Sequence, residues 1–94
     1  MYYRMSTYQG RTGSQHALIA KADALRAQMK ALPGVRSIQM IDMGGDHYLT
    51  LAAYDSAEDA ASAAESVKTL YAELADLIDL DTLKFEGGNV VWEL

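Results

Sequence analysis

The stretch "IDMGGDHYLTL", residues 41–51, sets a Gly-Gly pair between two apolar runs, with Asp42 before it and His47 after it. Such a pair is a hairpin signal, because tight primed turns need backbone angles that glycine adopts at no steric cost. The flanking segments "VRSIQMIDM" (35–43) and "HYLTLAAYD" (47–55) then read as two strands. With Gly44 and Gly45 as the central turn residues, Met43 stands opposite Asp46, Asp42 opposite His47 and Met40 opposite Leu49. Side chains alternate along a strand, so this register assigns every neighbour to a face. One face carries Ile38, Met40, Asp42, His47, Leu49, Leu51 and Ala53. The other carries Ser37, Gln39, Ile41, Met43, Tyr48, Thr50, Ala52 and Tyr54. The first is the greasier and is expected to meet the helices.

Working outward, residues 1–9 are rich in Tyr, Met and Thr and read as a strand. "GRTGSQ" follows as a loop in which Thr12 and Gln15 have capping-box spacing. Leu18, Ala22, Leu25, Met29 and Leu32 then form one helical stripe, which Pro33-Gly34 stops. Ser56 caps a second helix with Asp59 at the reciprocal position. Its apolar face is Ala60, Ala63, Ala64, Val67, Tyr71, Leu74 and Ile78. "DLDTL" (79–83) looks irregular, and "NVVWEL" (89–94) reads as the last strand after Gly87-Gly88. The order β-α-β-β-α-β predicts a ferredoxin-like α+β sandwich in a single domain spanning 1–94, two helices covering one face of a four-stranded antiparallel sheet.

Arg4 is costly beneath helices without a partner, which sends Tyr3, Met5 and Thr7 to the helix side. Tyr2, Arg4, Ser6 and Tyr8 then join the uncovered face. That face mixes phenols, small polar groups and a guanidinium, the chemistry of a half-apolar pocket. The candidate ligand-binding residues are therefore Tyr2, Arg4, Tyr8, Gln39, Tyr48, Thr50 and Tyr54.

Composition narrows the function classes. The chain has 94 residues, no cysteine and a net charge of −5, so disulfides and thiolate chemistry are absent and general nucleic-acid binding is not expected. The N-terminus lacks an apolar targeting core and no run approaches membrane-span length, so no membrane partner and a cytoplasmic location are expected. Charge is unevenly spread. Residues 1–41 hold six basic groups against Asp23 alone, while 42–94 hold twelve acids against Lys68 and Lys84. Halves of opposite sign suit complementary surfaces on a symmetric partner, or simply a solvated acidic helix.

With "LPGVRSIQMI", "HYLTLAAYDSAEDA" and "GNVVWEL" in these positions, the chain resembles the dimeric α+β barrel superfamily, close to its antibiotic-biosynthesis-monooxygenase group. These segments are turn, cap and strand positions, and the resemblance covers nearly the whole chain. It implies a homodimer whose sheets pack through their open faces. It implies binding of an aromatic, quinone-like or polyketide-like small molecule, and no cofactor, as in a cofactor-independent monooxygenase or isomerase. The alternative is a non-enzymatic ligand-binding or regulatory dimer.

Oxygenation of that kind needs a deprotonated substrate and an anion stabiliser in a water-poor cavity. Arg4 is suited to a phenolate or carboxylate, and Tyr2, Tyr8, Tyr48 or Tyr54 to hydrogen bonding. Against these stand a partner-facing salt bridge for Arg4 and interface packing for the tyrosines. The haem-degrading branch of the family relies on an Asn, a Trp and a helix-borne His. The second helix here has neither His nor Trp and the first strand no Asn, so that activity is not expected. Trp92 reads as an interface or core anchor and Asn89 as a turn residue.

The catalytic residues stay unassigned and no metal is expected. One alternative remains at the corner where the first helix begins. His16, Asp42 and His47 meeting there would supply two imidazoles and a carboxylate for Zn or Fe(II), and Asp42–His47 alone would make a positioned base. Set against that, a cross-strand Asp42–His47 contact is a common rim clamp worth a few tenths to about 1 kcal/mol.

Overall fold

The hairpin turn holds three residues, not two, and that difference sets the faces of the sheet. The computed structural model describes residues 1–94, and in it strands β2 (Val35–Asp42) and β3 (His47–Tyr54) flank the turn. Met43 N–H donates to the His47 carbonyl at 2.9 Å, and His47 N–H to Gly44 O at 3.0 Å. Gly44, Gly45 and Asp46 all have positive φ (88°, 60° and 62°). Gly45 and Asp46 thus take the left-handed angles of a primed turn, and Gly44 is the extra residue. Asp42 now pairs with Tyr48, Met40 with Thr50 and Ile38 with Ala52.

A one-residue change of register exchanges the faces of a strand. Ile38 and Met40 do face the helices, as expected, but they share that side with Tyr48, Thr50, Ala52 and Tyr54. Leu49, Leu51 and Ala53 turn to the open face instead. The first strand, β1 (Tyr2–Gly10), follows β3 through its antiparallel pairs Tyr2–Tyr54, Arg4–Ala52, Ser6–Thr50 and Tyr8–Tyr48. Tyr2, Arg4, Ser6 and Tyr8 therefore lie beneath the helices, and Tyr3, Met5 and Thr7 on the open face. The expectation for β1 and β3 is reversed. Arg4 is tolerated there because its Nη2 donates to the Ala60 carbonyl at 2.5 Å and its guanidinium rests over the Tyr54 ring.

The sheet order is β2-β3-β1-β4, with β4 covering Ile78–Asn89. This strand starts eleven residues before the expected one and contains "DLDTL"; residues 90–94 lie outside it. A bulge accommodates the irregular composition. Thr82 Oγ1 donates to Asp79 O at 2.6 Å and accepts from Gln9 N–H at 2.8 Å, while the β1–β4 register shifts between Thr7 and Gln9. Gly87 is a strand residue rather than a turn. A Cβ there would fall 2.0 Å from the Tyr2 hydroxyl, so glycine admits the Tyr2 ring against the strand.

The first helical stripe is split into α1 (Gln15–Ala24) and α2 (Arg26–Lys30). Leu25 sits between them at φ −94° and ψ 3°, its N–H shared by the Lys21 and Ala22 carbonyls. The cap of α1 is Ser14, whose side chain makes no capping bond, so the Thr12–Gln15 box does not form. Gln15 is used otherwise: its carbonyl accepts from the Tyr48 hydroxyl at 3.2 Å. The later helix α3 (Ala57–Ala72) starts as expected, with Ser56 Oγ accepting from Asp59 N–H at 3.1 Å.

One layer of helices covers one sheet face, giving the ferredoxin-like α+β sandwich read from the sequence. Its core joins Leu18, Leu25 and Leu32 from the first helical pair to Ala60, Ala63, Val67 and Tyr71 of α3, above Tyr8, Tyr48 and Tyr54 of the sheet. Leu74 and Ile78 complete it from beyond the helix end. No helix is long and apolar enough to cross a membrane.

Candidate functional site

A cavity of about 460 Å³ lies between the sheet and the helices. Its floor is the inward face of β1, β2 and β3, with Arg4, Tyr8, Thr50 and Tyr54 joined by Ile38 and Met40. Met29 and Leu25 wall it from the first helical pair, and Tyr71 and Val67 from α3. Two thirds of the lining is apolar (14 of 21 residues), so water is held weakly there.

The polar groups of the cavity include two hydrogen-bonded pairs, Tyr8 with Thr50 and Arg4 with Tyr54. Tyr8 Oη and Thr50 Oγ1 share a hydrogen bond of 2.8 Å. Tyr71 faces this pair from the α3 wall. Tyr8 stacks on Tyr48 at 5.9 Å and meets Tyr71 edge-on at 5.5 Å, which fixes both rings. Burial raises the Tyr8 phenol far above its ordinary range, with Tyr71 adding to the effect and the Thr50 hydrogen bond opposing it. Burial likewise raises Tyr71, with Ser6 and Thr50 opposing it. Tyr54 is raised by burial and partly relieved by the Arg4 charge. These phenols are neutral donors at physiological pH and supply no phenolate base.

Of the seven candidate ligand-binding residues, six share the helix side and four of them line the cavity. Tyr48 is buried at one end, towards Gln15, and Tyr2 packs over Gly87 at the edge; neither reaches the cavity wall. Gln39 pairs with Leu51 and is exposed on the other face. The expected pocket on the open face is therefore corrected to the helix side, for the register reason given above.

His16, Asp42 and His47 do not assemble: no group of three His, Asp or Glu side chains is placed to hold a metal ion. Asp42 clamps the turn through its own Oδ1, which accepts from Gly44 N–H at 2.8 Å, and not through His47. His47 pairs instead with Gln9 across β1. Trp92 is 74 % exposed and is not a core anchor, and Asn89 ends β4 opposite Tyr2 rather than making a turn.

Sequence reasoning left out Ser6, Met29, Met40 and Tyr71 as site residues. Met29 and Tyr71 stand on the helical stripes that the periodicity picks out. Only the third dimension distinguishes a stripe residue that fills the core from one that walls a cavity.

No family model matches the chain, and no curated protein matches it. Solved structures do. A provisionally named antibiotic biosynthesis monooxygenase from Nitrosomonas europaea superposes with a TM-score of 0.75 at 18 % identity, over 98 % of this chain and 100 % of that one. Another from Chloroflexus aurantiacus gives 0.70 at 21 %, over 99 % and 95 %. An R26S mutant of MhuD, with two manganese protoporphyrin IX molecules bound per active site, gives 0.76 at 14 %, over 100 % and 98 %. The likeness is one of fold, over nearly the whole length of each chain. The chain thus has a ferredoxin-like α+β fold that is similar to those of structures named as antibiotic biosynthesis monooxygenases.

Proposed function

We propose that the chain binds a flat aromatic or quinone-like small molecule in the cavity between sheet and helices. The observation that carries this reading is the composition of that cavity: a largely apolar space of about 460 Å³ with the Arg4 guanidinium on its floor beside the hydrogen-bonded Tyr8 and Thr50 hydroxyls. The guanidinium orients an oxygen of the ligand, and the Tyr8–Thr50 pair offers hydrogen bonds to a second polar edge. A cofactor-independent monooxygenase would use the same parts. Arg4 would stabilise the oxyanion of an ionised phenol or quinol, and the apolar walls would keep water from the reactive carbon.

A second reading, a non-enzymatic ligand-binding protein, is favoured by a specific feature. No carboxylate and no imidazole lines the cavity, and its tyrosines hold their protons. Proton removal therefore falls to the substrate's own acidity beside Arg4. The lack of an imidazole also means that this cavity offers no histidine ligand to a haem iron.

The assembly proposed for either reading is a homodimer in the cytoplasm. With the register corrected, Tyr3, Met5, Leu49 and Leu51 form an apolar strip on the face that no helix covers, and a second copy of the chain is the proposed cover.

Oxygen uptake with phenols and quinols tests the reaction. The enzyme reading expects turnover that Arg4→Ala lowers at least about tenfold, the loss of one strong charge-assisted contact. Saturable binding with no uptake selects the non-enzymatic reading, and no binding of any flat aromatic compound refutes both.

A further inference from the structure

The charged residues around the cavity are all of one sign. Arg4, Arg26, Lys30 and Arg36 line it, with no Asp or Glu among the lining residues. The chain has only eight Lys and Arg against thirteen Asp and Glu, so half of its cations gather at one cavity of an acidic protein. Two of the four are neutralised just outside the lining. Arg26 Nη2 lies 2.6 Å from Asp23 Oδ1, and Arg36 is paired with Asp55. The other two, Arg4 and Lys30, make no ion pair with any carboxylate of the chain.

Arg4 is the more telling. It is half-buried, and its hydrogen-bond partners are uncharged: the Ala60 carbonyl and, at 3.5 Å, the Tyr54 hydroxyl. A guanidinium has five N–H donors, so several remain unused. A cation withdrawn from water among apolar side chains is costly unless a counter-charge meets it, and this chain does not provide one. The missing charge belongs to whatever enters the cavity. Exposed Lys30, on α2, adds long-range attraction for an incoming anion.

We propose that the ligand is an acidic aromatic molecule, a flat apolar body bearing a carboxylate or equivalent anion that pairs with Arg4 while Lys30 draws it in. This rests on the cavity being a ligand site, and it adds the charge class and the orientation. The anionic edge points to Arg4 and Tyr54, and the apolar body lies along Met29 and Met40.

The test compares two probes with the same ring system, 2-naphthoate and 2-naphthamide, by calorimetric titration of the whole chain at pH 7 and low salt. Naphthoate is expected to bind at least about tenfold more tightly, with the advantage shrinking as salt rises. Arg4→Gln should remove most of that advantage, bringing the ratio of naphthoate to naphthamide affinity towards one. Lys30→Gln, on the surface and without a structural partner, should reduce naphthoate affinity about two- to threefold. Equal or tighter binding of naphthamide overturns the charge assignment and leaves the ligand cavity standing. Binding of neither probe overturns both. If Arg4→Gln does not fold, Lys30→Gln decides: an unchanged preference for naphthoate in that variant overturns the proposal.

Discussion

The guanidinium carbon of Arg4 lies 5.4 Å from the ring centroid of Tyr54, on the helix side of the sheet. That contact ties β1 to β3 and places the cavity's one inward-facing cation against a buried phenol. Arg4→Ala removes it together with the hydrogen bond to the Ala60 carbonyl. Urea unfolding should show a loss of about 1–2 kcal/mol, and Arg4→Lys should recover only part, since an ammonium lacks the planar fork.

Gly34 and Gly13 have similar positive φ, 62° and 72°, in different surroundings. A Cβ on Gly34 would fall 2.2 Å from the Asp59 carboxylate, whereas one on Gly13 meets nothing within 4 Å. Gly13→Ala should cost about 1 kcal/mol from backbone strain alone. Gly34→Ala should cost about 1 kcal/mol more, because the turn that ends α2 and starts β2 must shift or Asp59 must leave the first turn of α3. Chemical denaturation of the two variants side by side measures the difference.

The raised phenols make the fold sensitive to alkali. Tyr8, Tyr54 and Tyr71, and also Tyr48 beside Asp42 and Asp46, ionise in the unfolded chain near the ordinary 10.0 but later in the folded one. The unfolded state therefore sheds protons first. This stabilisation is complete below pH 10 and is lost as pH rises above it. Denaturation midpoints should hold steady to about pH 9 and fall beyond pH 10. Absorbance at the phenolate band should show these tyrosines titrating only as the fold opens. Tyr8→Phe and Tyr71→Phe should each make the alkaline fall shallower.

Leu51 stands in the apolar strip of the open face, paired with Met5 and with Gln39. If that strip meets a second copy, Leu51→Lys should lower the sedimenting mass from twice 10.3 kDa to 10.3 kDa while the far-ultraviolet spectrum keeps its shape. A wild-type chain that sediments as a monomer at micromolar concentration would remove the dimer from the account.

Much of this molecule was legible in its residues, and the errors have a common cause. The grouping of Tyr2, Arg4, Tyr8, Tyr48, Thr50 and Tyr54 on one face survives, because it depends only on alternation within each strand. Which way that face points depended on the turn length, and there Asp46 misled. An aspartate at positive φ is uncommon, so Gly44-Gly45 alone looked like the turn. Arg4 misled in the same direction, because a cation beneath helices looks forbidden until Ala60 and Tyr54 are seen to receive it. The late strand was hidden for another reason. Asp79 and Asp81 have poor strand propensity one by one, and they are held in β4 by the bulge that Thr82 builds with Gln9 and Asp79.

The central claim is that ligand enters on the helix side of the sheet, and the methionines divide the two faces. Met29 and Met40 line the cavity, while Met5 and Met43 lie on the open face. Methyl-labelled methionine, followed by carbon-13 NMR during a titration with 2-naphthoate, reports on both at once. The account predicts saturable ring-current shifts of the Met29 and Met40 methyls, with Met5 and Met43 unmoved. Shifts of Met5 and Met43 with Met29 and Met40 unchanged would contradict it.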